Sequence, residues 1–283
     1  VKGSDYLGDQ DAIEFMCKMA PQVVYELEHF GMPFDRNADG TIYQRPFGGH
    51  TANLGEKPVQ RACAAADRTG HALLHTLYQR NVRARTQFFV EWMALDLIRD
   101  AEGDVVGVVA LEMETGDITI LEAKVTVLAT GGAGRIWAAS TNAYINTGDG
   151  MGMAARAGIP LEDMEFWQFH PTGVLAGPHT RMTGTIIEEG LRGAGGYLLN
   201  GQNNRFMFDY HPRGERATRD LVSQSMYREM QAGRTTPNGG IYISMGHLGA
   251  DNVRRQFKGM VERCADCGFD LAGGLVEVVP TAH

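Results

Sequence analysis

The chain has 283 residues, 43% of them hydrophobic and 21% charged, the balance of an ordinary globular protein of about two domains. Its formal net charge of -8 argues against a general nucleic-acid binder, though not against local cationic pockets. No apolar run approaches the roughly 20 residues that span a bilayer, and no signal-peptide pattern opens the chain.

In chain order, Asp9 or Asp11 caps a helix running to Gly31, with Pro21 as an interruption. A Gly-rich stretch with Phe47-Gly-Gly-His-Thr51 follows, then a helix from Ala64 to Gln79. From Phe88 the texture becomes short apolar runs between turn residues: 88–98, 105–111, 118–121 and 125–129. This predicts a β-meander feeding one last buried strand, Val125 to Ala129. A small-residue helix to Gly158 follows, and from about Glu165 the composition shifts toward His, Arg and Glu, with helices near 220–232 and 250–265. A domain boundary is expected at about 164. Val1 in place of an initiator Met, and His283 directly after the apolar run 275–279, read as the ends of a piece of a longer protein.

Four cysteines are too few for a disulfide framework and point to a reducing compartment. Cys264 and Cys267 form a CxxC, read as two partly buried thiols because no second ligand pair accompanies them.

Several stretches carry chemistry. Ala129-Thr130-Gly131-Gly132-Ala133-Gly134-Arg135 ends a predicted strand in small residues, which lets backbone amides approach a ligand. Gly148-Asp149-Gly150 opens a helix, and an Asp there accepts hydrogen bonds from ribose or ribitol hydroxyls. Neither piece is a full GxGxxG, and on spacing alone tight structural turns are the simpler reading of both. His170-Pro171-Thr172-Gly173 is by itself an ordinary structural histidine. Glu189 and Arg192 are three apart, share a helix face, and read most simply as a surface ion pair. Arg219 opens a helix where the dipole does not favour a cation. Together with His283, these residues suit a small dianion, because guanidinium groups recognise carboxylates bidentately and imidazoles add donors.

The stretches at 65–77, 129–135, 146–154, 163–173, 192–200, 205–207 and 280–283 resemble, in order and spacing, the flavoprotein subunit of succinate dehydrogenase and fumarate reductase. The wider family includes L-aspartate oxidase. The resemblance implies an α/β FAD-binding, Rossmann-like domain, present in part over residues 1–164, followed by an α+β capping domain over 165–283. It implies FAD as cofactor, held by Asp149 with Ala129, Thr130 and Gly131 near the adenosine end. It implies that His170 and His283 bind substrate carboxylates, that Arg219 transfers the proton, and that Glu189 and Arg192 relay it to solvent. An arginine in water keeps its proton to about pH 12; neighbouring cations and desolvation both weaken the charged form.

Glu188 takes the substrate-binding position where the family has Thr, and its charge would repel a dianion unless it turns away. The loop from Val174 to Ile187 is longer than usual, with Thr183 or Thr185 as substitutes for the missing hydroxyl, and Ala194 stands where the family often has Glu. The implied activity is oxidation of succinate to fumarate. Alternatives are fumarate reduction, L-aspartate oxidation, or a non-catalytic piece. The implied partners are membrane anchor subunits together with an iron–sulfur subunit. The implied location is peripheral, on the cytoplasmic face of a bacterial inner membrane or the matrix face of a mitochondrial one.

Overall fold

The computed structural model describes residues 1–52, 57–66, 68–177, 183–187 and 189–283. The chain forms two compact units, Val1–Val90 and Glu91–His283.

In the first unit, α1 (Gln10–Phe30) begins where the Asp9 carboxylate accepts the Ala12 N–H at 2.9 Å. It ends at Gly31, whose φ of 109° allows the Gly31 and Met32 amides to fold back onto Glu28 and Leu27. Contrary to the sequence expectation, the helix runs through Pro21 without interruption. Pro21 removes one internal donor, and the two well-formed caps and many remaining bonds of a 21-residue helix outweigh that loss. Strands β1 (Gln44–Ala52) and β2 (Lys57–Cys63) pair antiparallel, so the Gly-rich stretch containing His50 is a strand, and α2 spans Thr69–Arg83. A small core of Met32, Phe34 and Ala65 holds the unit, with Leu27 of α1 and Leu73 of α2 packed against it.

In the second unit, β3 (Trp92–Arg99), β4 (Val105–Glu112) and β5 (Ile118–Glu122) form the expected meander. The strand expected at Val125–Ala129 does not form: Val125 and Val127 are 76% and 79% exposed, and the segment has no strand partner among the described residues. Its continuous apolar pattern belongs to a strand flanked on both sides, and a strand exists only by pairing. All sheet ladders among the described residues are antiparallel, so the parallel sheet of a Rossmann-like domain is not formed by them. A helix α3 (Asp149–Arg156) follows.

The rest of the unit is built on a four-stranded sheet in the order β6-β9-β8-β7, with β6 Phe169–Val174, β7 Tyr197–Leu199, β8 Ile241–Ser244 and β9 Leu275–Ala282. Helices α4 (Glu189–Gly193), α5 (Met207–Tyr210), α6 (Arg219–Gln231), α7 (Ala250–Gln256) and α8 (Lys258–Asp266) surround it. The single helix expected at 250–265 is split at Phe257, whose φ of -123° and ψ of 37° leave the helical region. The core joins Ile241, Ile243, Val276 and Val278 of the sheet to Val222 and Met226 of α6 and Leu191 of α4, all fully buried. Cys264 is buried there as a free thiol, and burial pushes it up to about 12, so it is an inert core group as expected.

Strand β6 packs so closely on β9 that a Cβ at Gly173 would fall on the Thr281 hydroxyl. Gly173→Ala is therefore expected to destabilise the protein by about 1–3 kcal/mol through overpacking. Gly259→Ala, in open space on α8, should be neutral or slightly stabilising. Thermal unfolding of the two variants checks the contrast.

Candidate active site

The register of β6 on β9 sets Phe169 opposite Ala282 and His170 opposite Thr281, which brings His170 and His283 together with ring centroids 5.5 Å apart. The β9 end is clamped from its other edge. Ala282 donates to the Ala139 carbonyl (3.0 Å) and accepts from the Thr141 amide (2.9 Å) and the Ser140 hydroxyl (3.1 Å). The Thr141 hydroxyl lies 2.7 Å from His283 Nδ1, and the His283 amide donates to the Gln168 carbonyl. Sequence reasoning missed Ser140 and Thr141, because nothing distinguishes them locally from other surface hydroxyls.

His170 is 1% exposed. Its Nδ1 accepts the Thr172 amide at 3.3 Å, which leaves the ring proton on Nε2 as a donor. Burial, then the charges of Arg219, Arg192 and His283, push its pKa down to about 3. His283 is pushed down by burial and by Arg219. At neutral pH the two imidazoles are therefore uncharged donors beside cations.

Arg219 is the first residue of α6 and is half-buried. One turn on, the Ser223 hydroxyl donates to the Phe169 carbonyl at 2.6 Å, which ties this face of α6 to the start of β6. Arg192 of α4 is 2% exposed, so it is not the surface cation that the simplest reading of its spacing suggested. Its Nη1 donates to the Glu215 carbonyl at 3.1 Å. The Glu215 carboxylate in turn accepts from Arg205 Nε (2.9 Å), Arg205 Nη2 (2.7 Å) and the Leu198 amide (3.1 Å). Burial works to raise the Glu215 pKa, but these donors, Arg205 foremost, hold it below the usual value. Glu188 and residues 178–182 of the long loop lie outside the described residues, as does the side chain of Glu189. The Thr183 hydroxyl donates to the Gly177 carbonyl and accepts from the Ala176 amide, so it is engaged within the loop.

The second cluster lies at 129–149. Ala129, Thr130 and Gly131 are exposed, as is Asp149 at the start of α3, whose carboxylate accepts the Thr147 hydroxyl at 2.8 Å. The first turn of α3 presses against Thr130 so closely that a Cβ at Gly150 would overlap its side chain. Gly148 packs on Ala133 in the same way and holds a φ of 82°. The result is an accessible carboxylate and bare backbone beside a helix N-terminus.

An FAD-binding domain model matches residues 1–283. The chain belongs to the FAD-binding domain family. It is 48% identical, over its whole length, to the succinate dehydrogenase flavoprotein subunit of Coxiella burnetii, covering 48% of that protein. It is 37% identical to a fumarate reductase (CoM/CoB) chain of Methanothermobacter marburgensis, all of this chain matching 50% of that protein. Among solved structures, E. coli quinol fumarate reductase superposes with a TM-score of 0.84 at 37% identity, over 99% of this chain and 48% of that one. The chain thus spans about half the length of the curated relatives it matches. Similarity to these flavoproteins is what the motifs implied.

FAD is the cofactor of the family, and the 129–149 cluster fits a part of it. Close packing of Gly148 and Gly150 leaves the backbone of 129–131 uncovered, and Asp149 offers an acceptor for sugar hydroxyls. Asp149→Ala should weaken FAD retention by roughly tenfold, the worth of one hydrogen bond to a charged group. The ratio of flavin to protein after dialysis of the full-length variant measures it, and an unchanged ratio would count against Asp149.

Proposed function

We propose that this chain supplies the later FAD-domain segment (1–164) and the cap (165–283) of a flavoprotein that oxidises succinate to fumarate. The observation that carries the reading is the convergence of His170, His283 and Arg219 at the β6–β9 edge, with the Arg192 charge acting on the same imidazole. The 48% identity to succinate dehydrogenase flavoprotein subunits supports membership of the chemistry that interconverts succinate and fumarate.

In this reading His170 donates from Nε2 to one carboxylate of the substrate, and His283 donates to the other. Arg219 holds the same dianion with its rigid fork; having first passed a proton outward, its neutral guanidine accepts the proton from the carbon adjacent to the one that loses hydride. Bound FAD supplies the two-electron acceptor. Neutral imidazoles suit the task because they fix orientation without adding further cations to a crowded site. Burial of His170 strengthens each of these interactions by excluding water. Glu189 and Arg192 of α4 pass the proton outward. Electrons leave to an iron–sulfur subunit held by membrane anchor subunits. The flavoprotein is then peripheral, on a cytoplasmic or matrix face, and no described helix of this chain is long and apolar enough to cross a membrane.

Anaerobic bleaching of the flavin in the full-length protein, with succinate against L-aspartate, tests the reading. Succinate is expected to bleach it; bleaching by aspartate alone would overturn the dicarboxylate assignment. Arg219→Lys should lower kcat by about 10²–10⁴-fold with flavin content unchanged, and normal turnover would remove Arg219 from the proton transfer.

A further inference from the structure

A cavity of about 770 Å³ lies against Arg192 within the second unit, a volume typical of small-ligand sites. Part of its wall is a set of stacked rings and a guanidinium. His247 lies on Tyr197 with centroids 3.7 Å apart and planes within 5°, and Arg205 sits 3.7 Å from the Tyr197 centroid. The bidentate bond to Glu215 fixes Arg205 in place and compensates its charge. Two more arginines line the cavity, Arg213 and Arg216, both exposed and in no ion pair among the described residues. Four guanidinium groups therefore face one carboxylate among the described lining residues, in a chain whose net charge is -8.

Such a concentration of fixed positive charge in a concave site attracts anions strongly. Arg213 and Arg216 contribute nothing to the buried core, so packing does not explain their presence. Both offer planar donor pairs matched to carboxylate or phosphate oxygens. We infer that this cavity binds a small multivalent oxyanion, a polycarboxylate or a polyphosphate, gripped by Arg213 and Arg216 and backed by the Tyr197–Arg205 wall. Arg192 is shared with the proton relay proposed above, but Arg213 and Arg216, which make the grip, take no part in that reaction.

Equilibrium dialysis of the full-length protein at low ionic strength tests it, with pyrophosphate and citrate in separate arms. One saturable equivalent is expected, and the double variant Arg213→Gln, Arg216→Gln should bind at least about tenfold more weakly. Arg254→Gln with Arg255→Gln, exposed on α7 outside the cavity, should bind like the parent. A preference for pyrophosphate assigns the site to phosphates, and a preference for citrate assigns it to polycarboxylates. Absence of saturable binding by either probe, or equal affinity in the Arg213 and Arg216 double variant, would overturn the proposal. The paired Arg213→Lys, Arg216→Lys variant, which keeps the charge and loses the fork, should fall between.

Discussion

The pairing of β6 with β9 is the constraint on which the candidate site depends. These strands are far apart in the second unit's sequence, Phe169–Val174 and Leu275–Ala282, and their register places His170 beside His283. Three independent ties hold that register. Ser223 grips the Phe169 carbonyl, Ser140 and Thr141 grip Ala282, and the bare face of Gly173 admits Thr281. A register slip of one residue between the two strands would put the two imidazoles on opposite faces of the sheet.

Burial then turns geometry into chemistry. An imidazole in water is half-protonated near pH 6.5, and a second cation beside Arg219 would repel it. Desolvation and the flanking arginines settle that conflict by discharging His170, while the Thr172 amide decides which nitrogen keeps the proton. Arg192 is held by the Glu215 carbonyl, and the same residue's carboxylate is anchored by Arg205. Glu215 is thus the shared support of two arginines that both line the cationic cavity, one of them with a charge that also reaches His170.

Much of the fold is legible in the sequence where a local rule suffices. Asp9 and Gly31 mark the ends of α1, and turn residues at 102–104 and 115–117 separate the strands of the meander. Local rules fail where the outcome depends on a neighbour. Val125 to Ala129 has the composition of a buried strand but no partner among the described residues, and Pro21 has a helix strong enough on both sides to absorb it. The site was legible only through resemblance. One histidine in a chain of 283 residues says nothing of burial, and the roles of Thr141, Ser223 and Glu215 in holding the site exist only once distant strands have met. The reading of Arg192 as a surface cation failed for the same reason, since spacing gives the helix face but not what covers it.

The chemistry of the β6–β9 site rests on His170 being a buried, neutral donor protonated on Nε2. Imidazole ¹⁵N chemical shifts of His170 in the full-length protein, followed from pH 8 downward, address it most directly. A neutral ring with its proton on Nε2 is expected, still uncharged as pH falls through 5, because burial and the flanking cations push its pKa down to about 3. A ring that gains charge near pH 6.5, or carries its proton on Nδ1, would contradict it.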